Sequence, residues 1–290
     1  MRQNQTFLRC ACAQIDHTPD QPELLIQAHE RAIAEAETAA VDLLVFPEAS
    51  LTGYPASMAH VRAAAIPRTH SALLQLAQMC QQCTAVVGFV EHGADGQYYN
   101  AIAWLHRGQV LAVHRKINLP TYGRLREGTY FAKGQQTTRM RLPSGYQCGG
   151  LICADFWDPG LAYLSALARD MLLVVPFAST REAVGSGFSN EDGWQRICAN
   201  HALIYGMPLL ACNWAGQLGA DMRFWGGSAI YDAKGHKAVE AGDRAETIVT
   251  DLSVADIHDA RARLPTIRDL SPDLLMQEIP ILKAHLNVAS

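Results

Sequence analysis

A cysteine, a glutamate and a lysine each stand at the end of a strand-like run, and together these side-chain types suit a thiol hydrolase. Cys153 follows the run Gly149-Gly150-Leu151-Ile152, and an amphipathic helical pattern begins a few residues later. A cysteine where a buried strand turns toward a helix can be exposed at the carboxyl edge of the sheet, where open α/β sheets place their sites. Glu48 closes Leu43-Leu44-Val45-Phe46-Pro47-Glu48, and Lys116 closes Val110-Leu111-Ala112-Val113-His114-Arg115-Lys116. A thiol is a weak nucleophile until a base takes its proton or a cation lowers its pKa. Glu48 could be that base and Lys116 that cation. Attack on a carbonyl develops an oxyanion, which Lys116 and the backbone N–H of Ala154 could hold. A second acid, Glu127, lies in the turn-rich stretch from Leu119 to Phe131, whose tyrosines suit a pocket wall. The candidate substrate contacts are Tyr54, Tyr122, Ala154, Phe156 and Trp157. By linear order alone each residue has a plain alternative: a turn cap, a solvated strand end, a core thiol.

The elements that must position these residues are legible as alternating patterns. Apolar runs of strand length fall at 7–14, 42–47, 84–90, 99–105, 109–115, 148–154, 171–176, 207–213, 227–232 and 246–251. Helical spacing fills 21–40, 69–83, 159–169 and 191–206. Strand and helix alternate at both ends of the chain, while 84–115 holds consecutive strands with turn signals between them. That combination predicts an α/β layered fold, a mixed sheet system with helices outside. No linker or composition break divides residues 1–290, so a single domain is expected. Residues 255–290 lose strand character and carry several arginines and prolines, reading as a surface tail or an arm onto a partner subunit.

Composition removes several function classes. The chain has 290 residues, 49% of them hydrophobic and 18% charged, with a formal net charge of −4. Mild acidity gives no reason to expect nucleic acid or an anionic membrane as partner. No run reaches the roughly 20 apolar residues of a membrane span, and Met1–Thr6 lacks the apolar stretch of a signal peptide. A soluble, cytoplasmic chain is expected. The eight cysteines are thinly spread, and the Cys80/Cys83 pair lacks a second pair at ligand spacing, so neither disulfides nor a metal are expected. A Cys–His hydrolase would draw on His17, His60, His114 or His201, but none sits in a recognisable protease context. Gly185-Ser186-Gly187-Phe188-Ser189 follows no strand, so it reads as a loop near the site mouth rather than a serine elbow. Gly226-Gly227-Ser228 lacks the lysine of a phosphate loop.

Three segments carry a family resemblance, in the family's order. Phe46-Pro47-Glu48-Ala49-Ser50-Leu51-Thr52-Gly53-Tyr54 resembles the glutamate motif of the nitrilase superfamily of carbon–nitrogen hydrolases. His114-Arg115-Lys116-Ile117-Asn118-Leu119-Pro120 resembles its lysine motif, and Gly150-Leu151-Ile152-Cys153-Ala154-Asp155 its cysteine motif. Glu127 matches the family's second glutamate, and Phe224-Trp225-Gly226-Gly227-Ser228 a motif of its second half. The resemblance implies an α-β-β-α sandwich and a Glu48–Lys116–Cys153 site forming a covalent thioester or thioimidate. Glu48 would be the general base, Lys116 the stabiliser of the intermediate, and Glu127 an orienting or proton-relaying acid. It further implies no cofactor and no metal, a small-molecule amide or nitrile as substrate, and a homodimer or larger homo-oligomer. The expected activity is a small-molecule amidase releasing ammonia, with a nitrilase and an N-carbamoyl amidohydrolase as runners-up. A catalytically inactive binding module of the same fold is the non-enzymatic alternative, against which the intact residue set argues. After the cysteine the chain lacks the glutamate that family amidases often carry in a Pro-Glu pair, so no subfamily's substrate carries over.

Overall fold

A computed structural model describes residues 6–18 and 21–288, with side chains to residue 284. The first third of the chain runs β1 (Phe7–Gln14), α1 (Pro22–Thr38), β2 (Leu43–Val45), α2 (Met58–Ala64) and α3 (Ser71–Met79). A meander follows, β3 (Thr84–His92), β4 (Tyr98–His106) and β5 (Gln109–Arg115). The second sheet then begins with β6 (Thr138–Arg141) and β7 (Gln147–Gly150), continuing through α4 (Pro159–Leu167) and β8 (Leu172–Pro176). Next come α5 (Asn190–Tyr205), β9 (Leu209–Cys212), β10 (Ala229–Tyr231) and β11 (Lys237–Glu240). The chain closes with β12 (Glu246–Ser253), α6 (Val254–Arg263) and α7 (Pro272–Val288).

Two six-stranded sheets result, in the orders β12-β1-β2-β3-β4-β5 and β11-β10-β9-β8-β7-β6. In each, three neighbouring strands are parallel (β1-β2-β3 and β7-β8-β9) and antiparallel strands flank them. The side-chain period of two sorts each strand between layers. In β1, Cys10 and Cys12 face the opposite sheet, while Ala11 and Ala13 face the helices. In β8, Leu172 and Val174 face inward between the sheets, and Leu173 and Val175 lie under α4 and α5. Both faces of the central strands are therefore apolar, which is why those strands read as continuous hydrophobic runs. The architecture is the α-β-β-α sandwich. No helix among the described residues is long and apolar enough to cross a membrane.

Several elements escaped the sequence reading. The strands β6 and β11 are four-residue edge strands whose side chains are largely polar or exposed, so they carry no apolar signature. Residues after 254 are not an irregular tail. In α6, Val254, Ile257 and Ala260 bury one face, and Arg261 and Arg263 stand in its last turn. The arginines drew attention away from that stripe.

Candidate active site

Two parallel strands, β2 and β7, and the antiparallel edge strand β5 deliver the chemistry at their carboxyl ends, the parallel pair as is usual for such sheets. Glu48 follows β2, Lys116 follows β5, and Cys153 follows β7. The Glu48 turn needs β3 to come unusually close: a methyl on Gly88 would run into Ala49 N and Pro47 O. Ala49 takes a positive φ of 53°, and the Trp214 indole donates to the Glu48 carbonyl at 2.8 Å. At Lys116 the backbone donates to Asn100 O at 2.8 Å and accepts from Gly134 N at 2.8 Å. A side chain at Gly134 would collide with Arg115 O.

Cys153 itself has φ 47°, a left-handed conformation that is costly for a residue with a Cβ and recurs where function holds it in place. Asp155 supplies the restraint. Its buried carboxylate accepts from the backbone N–H of Ile117 (3.0 Å), Asn118 (2.7 Å) and Ile152 (3.2 Å), and contacts His114 Nε2 at 3.3 Å. One side chain thus ties the segment after Lys116 to the segment before Cys153.

The structure brings four of the sequence-identified residues together. Lys116 Nζ is 2.6 Å from Glu48 Oε1 and 2.7 Å from either oxygen of Glu127, with hydrogen-bond geometry to Oε1 of the latter. Asn100, which sequence reasoning had passed over as part of a strand, donates to the same Glu48 Oε1 at 2.7 Å. Glu48 Oε2 is buried and has no hydrogen-bond partner among the described residues. Tyr54 donates to Glu127 Oε1 at 2.7 Å. Burial opposes the Lys116 charge, but Glu127, Glu48 and Cys153 outweigh it and hold its pKa well above that of an ordinary lysine. Burial, then Glu48, push the Cys153 thiol well above its usual range, against the pull of Lys116 and a hydrogen bond from the Ala178 N–H. The resting nucleophile is therefore a protonated thiol that needs a base. Glu127 is pushed up to about 7, first by burial and also by Glu48, against the attraction of Lys116.

A cavity of about 230 Å³ opens over Cys153. Tyr54, Tyr122, Ala154 and Trp157 line it, with Glu127 at its wall. The backbone N–H of Ala154 makes no protein hydrogen bond among the described residues. Phe156 requires a correction: it does not line the cavity but is fully buried, stacking on Trp194 at 6.2 Å and meeting His201 edge-on at 4.9 Å. The backbone reverses in a 3-10 turn over Cys153–Asp155, so adjacent rings diverge, Trp157 outward and Phe156 into the core. Trp194, Phe188 and Asn190 also line the cavity. Trp194 looked like an ordinary core position of a helix, and periodicity cannot show that its ring also faces a cavity. A larger hollow of about 390 Å³ lies between Ile26, His60, Ile66 and His70, sharing Tyr54, and no cysteine or serine is among its lining residues.

The rival residues have other places. His17 accepts from Tyr54 N, His114 contacts Asp155, and His201 packs on Phe156 and Tyr205. Cys80 and Cys83 are buried, and no group of three or more metal-ligating side chains occurs among the described residues.

The carbon–nitrogen hydrolase family model matches residues 9–262. The chain belongs to the carbon–nitrogen hydrolase family. It is 31% identical over 232 residues to a glutamine-dependent NAD(+) synthetase of Thermotoga maritima, covering 79% of this chain and 39% of the synthetase. It is 29% identical over 181 residues to a citrullinase of Francisella tularensis, covering 61% of this chain and 63% of the relative. The chain thus spans about two fifths of the synthetase. Among solved structures, a mutant amidase from Nesterenkonia sp. AN1, carrying the acetamide moiety of fluoroacetamide covalently on its active-site cysteine, superposes with a TM-score of 0.76. That match has 22% identity over 94% of this chain and 98% of the amidase, a likeness of fold.

The Glu127 shift sets a pH dependence in this hydrolase. With a folded pKa of about 7 against the ordinary 4.5, the native chain holds a proton that the unfolded chain releases between those values. Its stabilising contribution is complete below pH 4.5 and is lost as pH rises through about 7. Denaturant titrations from pH 4 to 8 should show a steeper loss of stability in the parent than in Glu127→Gln. Parallel curves would show that Glu127 titrates normally.

Proposed function

We propose that this chain is a cysteine-dependent amidase that cleaves small, uncharged carboxamides and releases ammonia through a thioester on Cys153. The observation that carries the reading is the division of labour on Glu48. One oxygen is held by Lys116 and Asn100, and the other is buried without a partner among the described residues, in the same site as a thiol whose pKa is held above its usual range. Glu48 Oε2 takes the thiol proton as sulfur attacks the carbonyl carbon, and Lys116 with the Ala154 N–H holds the oxyanion. As the tetrahedral intermediate collapses, the proton on Glu48 passes to the departing nitrogen and ammonia leaves. Water, deprotonated by the same carboxylate, attacks the thioester, and the carboxylic acid and free thiol are restored. Glu127 keeps Lys116 charged and placed between two carboxylates.

An uncharged substrate follows from the cavity wall. It carries no arginine, and the lysine at the site is committed to two carboxylates. A free α-carboxylate, as on glutamine or citrulline, would meet no arginine in that lining, because Arg124 and Arg126 line the adjoining hollow, Arg124 paired with Asp221. The likeness to an amidase whose active-site cysteine takes up the acetamide moiety of fluoroacetamide supports a nucleophilic cysteine at this place in the fold. Incubation of small amides with hydroxylamine should release ammonia and yield hydroxamates, because hydroxylamine competes with water for a thioester. Rapid nitrile turnover with amides untouched would overturn the proposal in favour of a nitrilase.

We also place a second copy of this chain on α7. Leu274, Leu275, Met276, Ile279, Ile281 and Leu282 are all exposed on that helix, an apolar surface that monomers seldom leave in water. Light scattering at micromolar concentration should give at least twice the 31.7 kDa chain mass, and deletion of residues 265–290 should lower it. A mass of one chain for the intact protein would remove the assembly.

A further inference from the structure

The cavity over Cys153 is ringed by aromatic side chains on one side. Trp157 lies edge-on to Trp194 at 5.6 Å and tilted against Phe188 at 6.1 Å, and Tyr122 lines the wall with them. Trp194 is fixed in the core, stacked on Phe177 at 4.1 Å. The other three rings are 37–53% exposed, large apolar faces left accessible at the mouth of one cavity. The placement of two of them, Trp157 and Phe188, depends on a residue that is not among those lining the cavity. Gly193 sits within α5, a position where glycine weakens a helix. A methyl there would come within 2.9 Å of the Trp157 ring and 3.0 Å of the Phe188 ring. The missing side chain lets both rings lie back on α5, which leaves the cavity open between them and Cys153. Phe188 rides on a segment with Gly185 and Gly187 at positive φ and open space around both, so its ring has freedom to adjust.

Resting on the amidase reading, we propose that the substrate is an aryl or arylalkyl carboxamide, its ring held by Trp157, Phe188 and Tyr122, and that Gly193 is a specificity-determining residue. Aromatic rings pair edge-to-face or offset-stacked at centroid separations of roughly 4.5–7 Å, and Trp157 and Phe188 already sit 6.1 Å apart. A substrate ring laid on their cavity side, with Tyr122 on the same wall, extends that packing. The cavity is smaller than the roughly 300–1,000 Å³ of drug-sized ligand sites, which limits the acyl group to a single ring. The ring also sets the reacting geometry: once it is seated against Trp157 and Phe188, the carboxamide is directed at Cys153 and the Lys116 ammonium.

The test compares phenylacetamide with propionamide. In the parent enzyme phenylacetamide should have a kcat/KM at least about tenfold higher. Gly193→Ala should fold normally, since alanine suits a helix better, yet push Trp157 and Phe188 forward and lower that ratio about tenfold. Phe188→Ala should lower it as well. A readout independent of turnover uses Cys153→Ala, in which phenylacetamide should quench tryptophan fluorescence saturably and propionamide should not. Equal kcat/KM for the two amides, or a ratio unmoved by Gly193→Ala, would overturn the aromatic specificity and leave the amidase reading standing. Hydrolysis of neither amide, with nitriles turned over instead, would sink the amidase reading and this inference with it.

Discussion

Cys153→Ala should abolish hydrolysis while the protein remains folded. Cys153 is the one thiol among the residues lining the cavity, and in the proposed mechanism Glu48 moves its proton while Lys116 holds charge beside it. The fold does not depend on the thiol, because Asp155 anchors the turn through three backbone N–H groups and the strands on either side keep their pairing. Removal of a nucleophile that acts as a unit with its base typically costs on the order of 10⁶ in kcat. Intact-mass analysis under rapid quench should show an acyl adduct on the parent and none on the variant. Turnover near the parent level in a folded Cys153→Ala protein, judged by circular dichroism, would remove covalent catalysis at this position from the account.

The second large effect belongs to Lys116→Ala, and it should appear in both activity and stability. Catalysis loses the cation that faces the developing oxyanion, a loss of about a hundredfold or more in comparable acyl-transfer sites. Folding loses the charge between Glu48 and Glu127, all three side chains being buried. Removing one partner of a buried ion pair costs about 3–5 kcal/mol, because the remaining charge is left uncompensated. Glu127, already raised to about 7 by burial and by Glu48, then loses the opposing pull of Lys116, and its pKa rises further above the unfolded value. The variant is therefore most stable in acid and weakens as pH climbs through that raised value, more steeply than the parent. Urea titrations of both proteins at pH 5 and pH 8 check the sign. An equal stability difference at the two pH values would mean that the carboxylates do not interact through the lysine. Glu48→Gln makes the complementary case, since the amide can still accept from Lys116 through its oxygen but cannot take a proton from sulfur.

Much of this site was legible because its residues stand where secondary structure changes. Glu48, Lys116 and Cys153 each follow a strand whose apolar run is easy to see, and the two-layer fold forces such ends to one edge. Glu127 was legible through its motif, although no pattern in its turn-rich neighbourhood fixes where its carboxylate goes. Asn100 was hidden for the opposite reason. It sits in the middle of a strand register, paired with Val90, and only the partner strand's geometry turns its amide toward Glu48. Phe156 and Trp157 show the same limit from another side: adjacent rings after a cysteine look equivalent in sequence, and a single 3-10 turn sends them to opposite environments. The polar edge strands and α6 were lost because burial there involves few residues, too short a stretch for periodicity to register.

The base and the cation hang from one sheet and the nucleophile from the other, with an apolar layer between them. Cys12 of β1 and Cys212 of β9 meet within that layer. Neither side chain lines the cavity over Cys153, but both lie in the layer that separates the sheet carrying Glu48 from the sheet carrying Cys153. Turnover is thus a gauge of sheet docking. A bulkier residue at Cys12 would act as a shim, prising proton acceptor from proton donor while each sheet kept its own hydrogen bonds. In a series of such shims the rate should fall before any spectroscopic sign of unfolding, so this enzyme reports on its own interior at ångström resolution.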